Sequence, residues 1–206
     1  METNSQGKEL MADTQKPVPA AIANLLASRP LRLGTRQSPL AMAQAEMTRE
    51  ALCSTYGLKE EQVALNPVVA SGDKIQDRAL REVGGKALWT RELDRALIAG
   101  EIDAAVHSMK DVETERPAEF ALAAMLPRAD VRDVLLGAAS LDAIPKNGRL
   151  GTSSPRRAAQ IRHLRPDITI TLFPGNVATR MAKLDGGEAD ATLLAAAGLD
   201  RLGVRV

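Results

Sequence analysis

From Leu31 onward, short apolar runs of strand type alternate with segments whose apolar residues recur at helical spacing, the alternation that gives a sheet covered by helices. Leu31 to Thr35 reads as a strand. Ser38-Pro39 then opens a helix to about Tyr56, because serine suits the capping position and proline the first helical turn. Val63 to Val69 reads as the next strand, followed by a polar loop through Asp73 and Asp77. Gly84-Gly85 precedes a helix from about Lys86 to Ala99, stopped by Gly100, and Ala104 to His107 reads as a buried strand. Phe120 to Leu126 is a further strand candidate. After Pro127 the charged residues Arg128, Asp130, Arg132 and Asp133 separate two apolar runs, which places a boundary between a first lobe, 31–127, and a second, incomplete lobe, 128–206. Residues 1–30 are expected to be a disordered tail.

An internal echo strengthens the two-lobe α/β reading. Arg32-Leu33-Gly34-Thr35, Ser38-Pro39 and Ala43-Gln44 recur as Arg149-Leu150-Gly151-Thr152, Ser154-Pro155 and Ala159-Gln160. Gly100-Glu101-Ile102-Asp103-Ala104 recurs as Gly187-Glu188-Ala189-Asp190-Ala191, each leading into a strand. Two similar lobes imply a cleft between them.

Composition narrows the chemistry. The chain has 206 residues, 45% hydrophobic and 26% charged, as an ordinary globular protein does. Aromatics are only 2%, which argues against stacking platforms for single-stranded nucleic acid. The formal charge of +1 is too balanced for a polyphosphate binder, so any cationic site is local. Of the 27 basic residues 19 are arginines, the side chain suited to two-point recognition of carboxylate or phosphate. One cysteine, Cys53, excludes an internal disulfide framework and reads as a small buried hydrophobe. The start lacks the basic segment of a secretory signal, and the apolar stretch Ala20 to Ala27 falls far short of the roughly 20 residues that span a bilayer. A cytoplasmic monomer without nucleic-acid or membrane partners is expected.

Each lobe opens with strand, Gly-Thr, Ser-Pro and helix, which aims free backbone N–H groups of the helix at the carboxyl edge of a sheet, a geometry that binds anions. Lobe one adds Arg36, Gln37 and Ser38 there; lobe two adds Thr152, Ser153 and Ser154, with Arg156 and Arg157 in the first helical turn. An arginine pair at that end opposes the helix dipole by a few tenths to about 1 kcal/mol, so a bound anion is the expected compensation. His107-Ser108-Met109-Lys110-Asp111 comes directly after a strand end, where α/β folds place ligand crevices: Lys110 suits an anion, Asp111 a developing cation or proton transfer. Arg180, in a helix opened by Gly175-Asn176, and Arg201 can reach the same cleft. Gly84-Gly85-Lys86 lacks the spacing of a phosphate-binding loop, the two histidines are far apart with no thiolates near, so no metal site is expected, and Trp89 reads as packing.

With these residues assembled, the chain resembles the porphobilinogen deaminase (hydroxymethylbilane synthase) family of tetrapyrrole and haem biosynthesis, from about Leu31 to Gly203. The resemblance rests on Thr35-Arg36-Gln37-Ser38-Pro39-Leu40, Gly84-Gly85-Lys86, His107-Ser108-Met109-Lys110-Asp111-Val112, Gly151-Thr152-Ser153-Ser154 with Arg156-Arg157, and Gly175-Asn176-Val177 with Thr179-Arg180. It implies two lobes like those of type II periplasmic binding proteins, a third domain whose cysteine carries a dipyrromethane primer, and a transferase that condenses four porphobilinogen units head to tail with loss of ammonia. By the same resemblance Arg36, Lys110, Arg156, Arg157, Arg180 and Arg201, assisted by Ser38, Thr152, Ser153 and Ser154, hold primer and substrate carboxylates, each charged hydrogen bond contributing roughly 1.5 to 3 kcal/mol. Asp111 matches the catalytic aspartate, which stabilises the cation formed as ammonia leaves.

The chain departs from the family in three places. Pro155 replaces a leucine, which a first helical turn accommodates. Pro174 replaces an arginine, removing one carboxylate ligand. The chain stops at Val206 and Cys53 does not match the primer cysteine, so the third domain is expected to be absent and the chain inactive as it stands. The competing expectation is a non-catalytic two-lobe anion-binding module, a cytoplasmic sensor or a solute-binding domain.

Overall fold

The computed structural model describes residues 15–69 and 90–206, which form two sheets with helices against them. In chain order the elements are α1 (Ala20–Leu26), β1 (Leu31–Arg36), α2 (Pro39–Tyr56), β2 (Val63–Val68), α3 (Arg91–Ile98), β3 (Ala104–Ala105), β4 (Asp133–Leu136), β5 (Arg149–Gly151), α4 (Pro155–Leu164), β6 (Thr169–Thr171), α5 (Val177–Asp185), β7 (Ala191–Ala195) and α6 (Ala196–Arg201). The first sheet has the order β2-β1-β3 and is parallel throughout. The second has the order β4-β7-β5-β6, in which β5, β6 and β7 are parallel and β4 runs against β7.

The echo in the sequence is an echo in topology. In each sheet the first parallel strand, β1 or β5, is central, the next lies on one side and the third on the other. Alternation along β1 sends Leu31 and Leu33 into a core with Val63, where Ile22, Leu25 and Leu26 of α1 and Leu52 and Cys53 of α2 pack. Its other face meets Leu93, Ala96 and Ile102 of the α3 side. The second core joins Ile144, Leu150, Ile161, Ile168 and Ala191.

The repeated glycine has a packing reason. A Cβ on Gly34 would lie 2.2 Å from Ile102 Cδ1, and one on Gly151 would lie 2.4 Å from Cδ2 of the fully buried Phe173. The repeated aspartate is a latch: Asp103 accepts from the Arg32 backbone N–H at 2.8 Å and donates its own N–H to Arg32 O, while Asp190 does the same with Arg149 at 2.6 Å. In both copies the arginine side chain also donates to a glycine carbonyl, Gly100 or Gly187.

Several expectations change. Residues 15–30 are not a loose tail: α1 packs its apolar side on the first core, and Lys16 donates its backbone N–H to Thr55 O. The apolar residues read as too few for a membrane are enough for a core. Phe120 to Leu126 forms no strand, because an apolar run without a ladder partner has nowhere to place its backbone hydrogen bonds; Leu122 and Met125 are exposed. β6, which the hydrophobic pattern did not announce, is made by Thr169–Thr171 pairing with β5. The readings at Asp73, Asp77, Gly84-Gly85-Lys86 and Trp89 lie outside the described residues. No helix among the described residues is long and apolar enough to cross a membrane.

Candidate functional site

Parallel neighbours β1 and β3 end side by side, so the segments leaving them share one edge. Arg36 closes β1, and the chain after β3 enters a single 3-10 turn, Met109–Asp111. The Arg36 guanidinium comes to 3.9 Å from the Asp111 carboxylate, both partly exposed. Ser108 Oγ donates to Gln44 Oε1 at 2.8 Å, joining this turn to α2. Ser38 stands at the N-cap of α2 with no side-chain capping bond to the helix, and Lys110 is exposed on the turn. Burial pushes the His107 imidazole below its ordinary value, although the carboxylates of Asp94, Asp111 and Glu113 pull the other way, and its Nε2 is buried without a hydrogen-bond partner among the described residues.

The second sheet gathers its groups at the same kind of edge. After β5, Thr152 is buried and accepts from the Ser154 backbone N–H at 3.1 Å, and Ser154 caps α4 by accepting from the Arg157 N–H at 3.4 Å. Thr152 therefore braces the turn, as Thr35 does in the first lobe by donating to Ala41 O. Ser153 Oγ, Arg180 Nε and Arg201 Nε are buried and have no hydrogen-bond partner among the described residues. Burial, with a smaller push from Arg157, lowers the Arg180 pKa from its ordinary value. Asn176 caps α5 by accepting from the Thr179 N–H at 2.9 Å.

Arg156 and Arg157 have a protein partner that sequence reasoning missed. Asp133 starts β4 opposite Ala195, at the carboxyl end of β7. It accepts from Arg157 Nη2 at 2.5 Å and Nε at 3.0 Å, and Arg156 Nη2 adds a longer contact of 3.3 Å. Burial opposes the Asp133 charge, but the two arginines outweigh it and hold the carboxyl below its usual range. The anion expected beside this helix start is thus supplied within the chain. Asp133 was visible only as part of the charged boundary stretch, and Gln44 only as part of the echo.

The two edges approach one another. α6 packs on α2, and a Cβ on Gly198 of α6 would touch both Leu40 at the start of α2 and Val177 at the start of α5. Arg36, Ser38, Ser108 and Asp111 thus belong to segments that leave the first sheet at its edge, where Arg36 and Asp111 meet, while Ser153, Ser154, Arg156 and Arg157 follow β5, Arg180 lies on α5 and Arg201 ends α6. Among the described residues no group of three or more His, Cys, Asp or Glu is placed to hold a metal ion.

Two sheets whose parallel strands share one order, with guanidinium, hydroxyl and carboxylate groups where those strands end, define the chain as an α/β protein. The family model described as "Porphobilinogen deaminase, dipyromethane cofactor binding domain" matches residues 31–206, and the chain belongs to that family. It is 64% identical over 180 residues to a protein named porphobilinogen deaminase from Sphingopyxis alaskensis, covering 85% of this chain and 57% of that one. A protein of the same name from Nitrobacter winogradskyi is 51% identical over 175 residues, covering 84% of this chain and 55% of that one. The chain therefore spans little more than half the length of these relatives.

Proposed function

We propose that this chain performs the chemistry its relatives are named for: the condensation of four porphobilinogen units, head to tail, with release of ammonia, in a cleft between two lobes of the type II periplasmic-binding kind. The observation that carries the reading is the Asp111 carboxylate held 3.9 Å from Arg36 where β1 and β3 end. An anion so placed offsets positive charge that develops on a pyrrole as ammonia departs, while the neighbouring guanidinium restrains the carboxylate.

A dipyrromethane primer with acidic side chains fits the residues present. Arg180 Nε, Arg201 Nε and Ser153 Oγ are buried polar atoms lacking partners among the described residues, and carboxylates are the acceptors they suit. The primer supplies the pyrrole onto which units are added. This chain's residues bind and orient: Arg180, Arg201, Ser153 and Ser154 on one edge, Arg36, Ser38 and Lys110 on the other, with Arg156 and Arg157 exchanging Asp133 for a ligand carboxylate and Thr152 holding its turn in shape. The setting is cytoplasmic and the working unit a monomer.

The test joins the whole 206-residue chain to the C-terminal remainder of the Sphingopyxis relative and measures ammonia release and linear tetrapyrrole from porphobilinogen. Turnover is expected, with Asp111→Ala lowering kcat by at least about a hundredfold. Reversible porphobilinogen binding with no ammonia released would overturn the reading in favour of an anion-binding module.

A further inference from the structure

Asp111 sits in one 3-10 turn, and residues 112–132 after it contain neither helix nor strand. A lone turn does not hold itself, since its first hydrogen bond fixes several dihedral angles at once. Tertiary contacts must position it. On the upstream side they are plain: Val106 donates to Gly34 O, and Ser108 is tied to Gln44 of α2.

The downstream side carries a cluster that neither the motif nor the reaction accounts for. The Arg116 guanidinium donates to both oxygens of Asp94, at 2.6 and 3.1 Å, and to Glu113 at 2.8 Å. The other Glu113 oxygen accepts from Thr90 Oγ1 at 2.9 Å, and Thr90 is fully buried at the start of α3. The Phe120 ring lies 4.8 Å from the same guanidinium. Burial disfavours the Glu113 charge, yet bonds from its own backbone, Thr90 and Arg116 keep its carboxyl below the ordinary value. Arg116, Asp94 and Glu113 are all about three-quarters or more removed from solvent, so this is a partly buried network and not a screened surface pair. Only Val112 separates Asp111 from Glu113, so their Cα atoms are at most about 7 Å apart.

We propose that Arg116, through Glu113 and Asp94, is a positioning residue that ties the Asp111 turn to the first turn of α3. The inference rests on the reading of Asp111 as the reacting carboxylate. Without Arg116, Asp94 and Glu113 are like charges facing each other, which pushes the tether open as well as cutting it.

Amide hydrogen exchange on the 206-residue chain reads the tether directly, at the Asp111 and Val112 N–H groups that bond to Ser108 O and Met109 O. Arg116→Ala is expected to speed both by about tenfold or more and to leave the amides of α4 at their original rates. Glu113→Gln, which keeps an acceptor for Thr90 and so spares the fold, is expected to speed the same two amides less. In the fusion with the Sphingopyxis remainder, both variants lower kcat, Arg116→Ala by about tenfold, with KM within about twofold. Unchanged exchange at Asp111 and Val112, or an effect confined to KM, overturns the inference while an inactive Asp111→Ala leaves the functional reading intact. An active Asp111→Ala overturns that reading whatever exchange shows, and with it the role of the tether in the reaction.

Discussion

Arg180→Met separates what the arginine does for the fold from what it does for a ligand. In the free chain Arg180 Nε is buried without a hydrogen-bond partner among the described residues, and the charge is repelled by Arg157. An unmet buried donor costs about 1 to 3 kcal/mol. Methionine keeps the length of the stem and removes both the donor and the charge. We expect the variant to be more stable than the parent by about 1 to 2 kcal/mol, which for a chain of this size raises Tm by roughly 2 to 8 °C. Porphobilinogen affinity should move the other way. Losing one charged hydrogen bond of roughly 1.5 to 3 kcal/mol weakens binding about 10- to 150-fold. Differential scanning calorimetry gives the first quantity and isothermal titration with porphobilinogen the second. A variant that is less stable than the parent, or that binds with unchanged Kd, would refute the argument that this donor is held in reserve for a carboxylate.

Two further perturbations test the fold beneath the site. Gly151→Ala sets a methyl group 2.4 Å from the buried Phe173 ring and should cost about 2 to 3 kcal/mol in urea unfolding, with Phe173→Leu recovering part of it; a change under about 0.5 kcal/mol would show that the repeated glycine is not there for packing. His107 is held below its unfolded value of about 6.5, so the unfolded chain binds the extra proton first; its contribution is fully present above about pH 6.5 and is lost as pH falls through the lower folded pKa. The parent should therefore lose more stability than His107→Asn between pH 7.5 and 5.5, a window in which the arginine-held carboxylates of Asp103, Glu113 and Asp133 do not titrate; equal slopes by urea unfolding would remove His107 as the source.

Much of this protein was legible in the chain because its strongest signals are local. Ser38-Pro39 and Ser154-Pro155 mark helix starts wherever they fall, and the paired Gly-Thr and Asp-Ala strings marked two units that proved to share one strand order. The positions of Arg36 and Asp111 could be read from where parallel strands end. What the chain could not announce were choices between partners distant in sequence. Whether Ala20–Leu26 is a tail or a helix depends on the groove beside Leu31, Leu33 and Val63, and whether Phe120 to Leu126 is a strand depends on a neighbouring ladder. Arg157 looked like a waiting anion ligand until antiparallel pairing of β4 with β7 delivered Asp133 to it, and nothing local to Arg116 announced that α3 would bring Asp94 within reach. Capping and turn preferences act over three or four residues, whereas the energy of a buried charge is set by whichever group the fold places beside it, so the sequence determined where capped helices start and where the repeated units lie, and the tertiary structure decided the elements that need a distant partner and which arginines are occupied.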